Sequence, residues 1–287
     1  MNRIVRIKIP YIASMIVICI ISVVTIWINA DAFLYYDAFN LKTFIGNIFM
    51  LQNNPILSIV DMVFGTNIKM DVFSSARPFW TLAIEWWIYM SAGYFWLYLR
   101  KVSKVSLWNV TVMIILSIVP LYNLILGGGN GLTWVWLGGV TIGTLYRQVE
   151  IESKFLKYMM VLVSFSILTG AALIFKDAYS AAVKIMILIT LFWILVLFKD
   201  DNRSLTGNLG TAIIKHMAGY RYSLYLLHYS IIKFISIALA GISIWVQILL
   251  AILISNMCAY LCSVWFERKD SPVVSWCTKK LSGMLKV

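Results

Sequence analysis

Apolar residues in this chain come in long runs, with polar and charged residues gathered into short stretches between them. A helix needs roughly 18 or more mostly apolar residues to cross a hydrocarbon core about 30 Å thick. Such runs fall near 10–28, 79–98, 107–126, 132–146, 158–175, 180–198, 223–240 and 243–265. The pattern predicts an all-α, polytopic membrane helix bundle of about eight spans, with both termini on one side. The fourth run is short and carries Gly138, Gly139 and Gly143, which fits either a helix tilted against a close neighbour or a broken one.

Two stretches depart from this rhythm. Residues 29–78 form the longest connection and contain the apolar patch Phe44 to Leu51, too short to cross, followed by Asn53, Asn54 and Pro55. This is either a surface loop or a re-entrant helix, a shape tolerated at membrane depth only beside protein or a water-filled cavity. As the one long connection, it is the expected outer cover of a binding site. Gly127, Gly128, Gly129, Asn130 and Gly131 read as a flexible turn. They follow no strand and open no phosphate-binding helix, so no nucleotide role is assigned.

Composition agrees with lipid as the main solvent. Of 287 residues, 61% are apolar and 13% charged, which excludes an ordinary soluble enzyme and a disordered chain alike. The net charge of +12 raises the question of nucleic acid. Its distribution answers it, because 18 of the 24 Lys and Arg residues lie before the first span, in alternate connections or after the last span. That asymmetry is the positive-inside pattern, so the charge reads as topology, with cytoplasmic termini and no nucleic-acid partner. The whole chain, 1–287, is taken as a single membrane domain ending in a cytoplasmic tail over 267–287. No cleavage motif follows Ile28, and Cys19, Cys258, Cys262 and Cys277 show neither metal spacing nor a disulfide framework. No metal is expected.

Ionisable groups inside spans are costly unless paired or wetted, so each is a candidate for function. Glu85 is the one acid within a span, and Lys184, His228 and Lys233 complete the set. Glu85 is either tied to a neighbouring helix by hydrogen bonds or available to a substrate hydroxyl or catalytic group. His228 lies three residues after Tyr225 on the same helical face, as a structural imidazole or a catalytic one. Counted from the helix ends, Glu85 and His228 sit about 9 and 8 Å from opposite surfaces, leaving about 13 Å of depth between them and no direct dyad unless a helix is broken. Arg3 and Arg6 are also three apart, and serve either as topogenic charge or as planar donors for phosphate groups.

Three segments resemble the acyltransferase 3 family of integral-membrane O-acyltransferases. PFWTLAIEWWIYM, from Pro78, resembles its Trp-Ser-Leu-x-x-Glu-x-x-x-Tyr signature, with Thr81 in place of the serine. YRYSLYLLHYSII, from Tyr220, is similar to its Tyr-Ser-x-Tyr-Leu-x-His segment, and RIVRIKIPYI, from Arg3, to its Arg-x-x-Arg-Ile-x-Pro segment. The resemblance implies transfer of an acetyl group from acetyl-CoA to a hydroxyl of a cell-surface polysaccharide or its lipid-linked precursor, in the bacterial inner membrane. It assigns Arg3 and Arg6 to the coenzyme, Glu85 and His228 to catalysis, and Trp80, Tyr89 and Tyr225 to substrate or support. The partners it implies are membrane lipid and the glycan acceptor. The family's catalytic histidine, on its first helix ahead of the Arg-x-x-Arg segment, has no counterpart here, since the first histidine is His216. The chain thus resembles a member without the first two of ten helices. A partner supplying those helices, a catalytically inactive family derivative, and a small membrane transporter are the alternatives. Deprotonating a hydroxyl as it attacks a thioester calls for a base such as imidazole, and the resulting oxyanion calls for aimed donors.

Overall fold

In a computed structural model the described residues are 2–102, 104–126, 131–175, 180–199, 208–268 and 271–284, without the side chains of 2–4, 208, 209, 211, 213 and 281–284. Gly127 to Asn130 lie outside them, as do Lys176, Arg203, Lys269 and Lys286 of the charge pattern. The described residues form α-helices with one short 3₁₀ turn and no strand.

Each expected span is a helix. They are α1 (Asn2–Ile28), α4 (Phe79–Leu97), α5 (Leu107–Ile125), α6 (Leu132–Gln148), α7 (Lys154–Phe175), α8 (Ala181–Leu197), α10 (Arg221–Ala238) and α11 (Ile244–Phe266). Four stretches are long and apolar enough to cross a membrane by length and composition: Val5–Ile28, Leu107–Ile125, Lys154–Phe175 and Ile244–Phe266. Only 11% of the apolar window of α7 is buried by protein, so its surface needs a hydrocarbon solvent. Four further helices complete the chain: α2 (Leu41–Ile48), α3 (Pro55–Phe64), α9 (Asn208–Ala218) and α12 (Pro272–Met284). The last of these gives helical form to the segment expected as a tail.

The chain divides into two compact units, one of residues 1–83 with 206–287 and the other of 84–205. In the second unit α7 packs along α8, α8 along α6, and α6 along α5. Helix α6 is unbroken, and Gly138 lets it approach α8, because a Cβ there would come within 2.4 Å of the Leu188 side chain. Gly139 and Gly143 face open space, so the close-neighbour expectation holds at one glycine of the three.

In the first unit α10 packs between α1 and α11, and α12 touches both α1 and α11. Residues 29–78 do not cover the end of α1 as a surface loop. The carbonyls of Asn47 and Ile48 accept hydrogen bonds from Tyr11 (3.1 Å) and Lys8 (2.7 Å). Between Ile28, where the segment leaves α1, and Lys8, the helix rises about 30 Å, so the segment folds back along nearly its whole length. Asn40 caps α2 with its side chain, and Asn54 with Pro55 starts α3, so Asn53, Asn54 and Pro55 mark the turn between two short helices. Met50, Asn53 and Ser74 hold left-handed backbone at φ 57°, 54° and 49°, which costs free energy and persists only where surroundings impose it. Here buried polar side chains do so. Asn47 donates to the carbonyls of Thr43 (2.8 Å) and Asp71 (2.9 Å) and accepts from the Phe73 amide (3.2 Å). Gln52 donates to the Tyr11 hydroxyl (3.2 Å) and the Phe79 carbonyl (3.0 Å).

Candidate functional site

The late signature sits on α10, whose first turn is fixed by an acid from the far end of α11. The Glu267 carboxylate accepts from the backbone amides of Tyr222 (3.3 Å) and Ser223 (2.9 Å) and from the Ser223 hydroxyl (2.6 Å). A carboxylate there satisfies amides that have no partner within the helix and meets the positive end of its dipole. Tyr222 ties the same turn to α1 by donating to the Ile7 carbonyl (3.2 Å).

One turn further on, the two signatures meet. The Tyr225 and Thr81 hydroxyls pair with each other, and both lie within hydrogen-bond reach of the Pro78 carbonyl, at 3.2 and 2.8 Å, so that one donates to the carbonyl and the other to its hydroxyl neighbour. Depth counting starts α4 and α10 at opposite surfaces, whereas these contacts place the two starts side by side. The error lies in the start of α4. Ser74 meets Ser22 (2.7 Å), Ser75 accepts from Ser230 (3.1 Å), and Phe79 stacks on Tyr11 with ring centroids 4.5 Å apart. Residues 74–79 therefore run along α1 and α10 toward the N-terminal ends of both, and α4 begins beside the first turns of α10.

His228 lies one turn beyond Tyr225, their ring centroids 6.1 Å apart. Its Nδ1 is 3.1 Å from the Leu224 carbonyl and 2.9 Å from the Tyr225 carbonyl. Carbonyls only accept, so the hydrogen of a neutral ring belongs on Nδ1, which leaves Nε2 as the basic nitrogen. The ring lines an apolar groove of about 840 Å³ formed by α10 and α11, together with Arg221, Tyr225, Ser255 and Asn256. Ser255 is buried and its hydroxyl has no hydrogen-bond partner among the described residues.

Arg221 and Ala218 line both this groove and a polar cavity of about 570 Å³ at its end. Arg6 of α1, Lys215 and His216 of α9, Arg221, Glu267 and Arg268 also line that cavity. The Arg268 guanidinium lies over the Tyr260 ring at 5.1 Å, and His216 packs on the same ring at 5.2 Å. Among the described residues the only carboxylate in the lining is Glu267, which is committed to α10. Four cations around one engaged acid make a place for an anion with several oxygens.

A model of the acyltransferase domain matches residues 1–268. The chain belongs to the acyltransferase 3 family. It is an integral membrane acyltransferase by family, and no curated protein and no solved structure matches it.

Within this acyltransferase 3 domain the expected residues are distributed as follows. Arg6, Tyr225 and His228 belong to the cavity and groove. Arg3 lies in the first turn of α1, with its side chain outside the described residues. Trp80 is half-buried beside Thr81 at the start of α4. Glu85 and Tyr89 belong to the second unit, where Tyr89 packs edge-on against Trp136 at 6.4 Å. Glu85 is half-buried, and among the described residues no hydrogen bond or ion pair reaches its carboxylate, so the tie to a neighbouring helix is not found there. Sequence reasoning missed Lys215, Arg221 and Arg268, which it counted as topogenic charge, and Glu267, which it placed in the tail. Basic residues at helix ends were the available signal, but their convergence on Arg6 is a property of the fold.

Proposed function

We propose that this chain transfers an acyl group, acetyl in the simplest case, from a coenzyme A thioester to a hydroxyl of a cell-surface polysaccharide or its lipid-linked precursor at a bacterial inner membrane. The observation that carries the proposal is the joining, at Arg221, of a cavity lined by Arg6, Lys215 and Arg268 to a groove lined by His228. The cations suit the phosphates of the coenzyme, and the groove suits its thioester arm. His228 Nε2 takes the proton of the acceptor hydroxyl as that oxygen attacks the thioester carbon. The tetrahedral adduct collapses with loss of the carbon–sulfur bond, and the departing thiolate recovers the proton from the imidazolium, leaving an ester and free coenzyme A. Tyr225 is a positioning residue, since its hydroxyl is engaged with Thr81 and Pro78. By the family resemblance Trp80, Glu85 and Tyr89, the signature on α4, are assigned to the acceptor.

The test uses the full chain in lipid nanodiscs with labelled acetyl-CoA. Arg6→Gln and Arg221→Gln are expected to weaken acetyl-CoA binding at least tenfold without altering insertion. His228→Gln is expected to keep that binding while losing most label transfer to a membrane glycan fraction. Binding unchanged in both arginine variants would sink the donor site. Binding without transfer in the unsubstituted chain would favour a non-catalytic acyl-CoA-binding subunit.

A further inference from the structure

The groove is longer than an acetyl group needs, and its chemistry changes along its length. At the cavity end it carries Arg221 and the buried hydroxyl of Ser255, which has no hydrogen-bond partner among the described residues. Asn256 beside them is bonded to the Tyr220 hydroxyl (2.9 Å) and the Ile252 carbonyl (2.8 Å), and Met217, Leu224 and Ile252 are apolar neighbours. His228 stands about 10 Å along α10 from Arg221. Beyond it the walls are aliphatic: Ile232 and Ile235 on α10 face Ile244 and Ile248 on α11 over about another 10 Å. The two polar groups in that half are already engaged with backbone carbonyls, Gln247 with those of Leu239 and Ile242 (both 2.9 Å) and Ser236 with that of Lys233 (2.8 Å). The order from one end to the other is thus anion site, a mostly apolar stretch with the Ser255 hydroxyl, the basic nitrogen of His228, and an aliphatic wall.

We infer that the aliphatic half is an acyl-chain pocket, so that the donor carries a chain of about eight carbons in preference to acetyl. This rests on the donor site proposed above and names the class of thioester it takes. A phosphate-bearing arm anchored at Arg6 and Arg221 brings its carbonyl to His228, and whatever follows the carbonyl continues between Ile232, Ile235, Ile244 and Ile248. An extended chain advances roughly 1.2 Å per bond, so about eight carbons fill the length beyond His228. Acetyl leaves that length to solvent or stray lipid. Each methylene buried there adds affinity that acetyl lacks.

The experiment compares octanoyl-CoA, acetyl-CoA and free octanoate on the full chain in nanodiscs, with Ile232→Trp and Ile248→Trp as variants. Both isoleucines are partly exposed, at 45% and 43%, so a larger ring fills the groove without displacing the core. Octanoyl-CoA is expected to bind at least tenfold more tightly than acetyl-CoA. The tryptophan variants are expected to bring that ratio to within twofold, chiefly by weakening octanoyl-CoA. Equal affinity for the two thioesters in the unsubstituted chain overturns the acyl pocket and leaves the donor site standing. A preference that survives both tryptophans overturns it as well, because the chain then partitions into the bilayer. Free octanoate competing as well as its thioester makes the groove a general hydrocarbon seat, which also overturns it. If neither thioester binds, the donor site fails together with the pocket.

Discussion

The two compact units differ in how far their hydroxyl side chains reach. In residues 84–205 the hydroxyls mostly bond within their own helix, as Thr141 does to Leu137 (3.0 Å), Thr169 to Phe165 (2.9 Å) and Thr190 to Met186 (2.8 Å). In residues 1–83 and 206–287 helix-local bonds also occur, as from Thr25 to Ile21 (2.7 Å), but others reach across the chain, as from Ser22 to Ser74, Ser230 to Ser75, and Tyr222 and Ser223 to Glu267. A side chain bonded to its own helix is satisfied anywhere in a bilayer and specifies no partner. A side chain bonded to another element fixes one backbone arrangement and leaves an unpaired group if that arrangement is lost. The contrast teaches where a site can be built. Apolar helices alone give a packing scaffold, whereas the unit that holds left-handed residues and a basic cavity needs a polar network to keep its irregular backbone in place.

Removing one network member therefore costs far more than removing a helix-local hydroxyl. Asn47→Ala leaves the Phe73 amide and the Asp71 carbonyl without their side-chain partner, and about 3 kcal/mol of stability is expected to go with them. Thr190→Val, in the other unit, removes a bond to a carbonyl within its own helix and is expected to cost about 0.5 kcal/mol or less. Unfolding midpoints in mild detergent decide the matter, and similar losses in the two variants would erase the contrast. A smaller effect is expected from Glu267→Gln. It retains an acceptor for the first turn of α10 but loses the charge, worth about 1 kcal/mol at a helix N-terminus, with faster hydrogen exchange at the Tyr222 and Ser223 amides as the local readout.

What could be read in one dimension follows the same division. Every expected span is a helix because lipid demands an apolar run, and a run is visible in sequence. The helical break at Asn53, Asn54 and Pro55 was also legible, from capping chemistry. The inward path of residues 41–79 was not, because it depends on Asn47 and Gln52 finding carbonyls far along the chain, and hydropathy carries no information on partners. Depth counting started α4 and α10 at opposite surfaces for that reason. Of the site, Arg6 and His228 were visible through the family motifs. Lys215, Arg221 and Arg268 were visible only as charges, since α9 brings Lys215 to Arg6 through tertiary packing. Glu267 follows an apolar run and reads as the start of a tail, and nothing local says that it caps a helix beginning at Arg221.

The smallest expected effect concerns a phenol at the edge of the network. Tyr35 lies in the segment between α1 and α2, and its hydroxyl is 3.3 Å from that of Tyr229 on α10. Burial holds its ionisation up at about 12 against an ordinary 10, the Tyr229 hydroxyl raises it further, and Arg77 opposes both. A raised value means that the neutral phenol is the form the fold prefers. The stabilisation is complete below pH 10 and is lost as pH climbs from 10 to about 12, where folding forces the proton to stay on while the unfolded chain releases it. Tyr35 is half-buried in a connecting segment, so the loss is local. The protection of amides in residues 30–39, relative to their intrinsic exchange at each pH, is expected to fall over that window, and Tyr35→Phe is expected to remove that fall without lowering stability at neutral pH. Protection relative to intrinsic exchange that stays constant up to pH 12 would detach Tyr35 from the network and leave the cross-chain bonding to residues such as Asn47, Gln52 and Glu267.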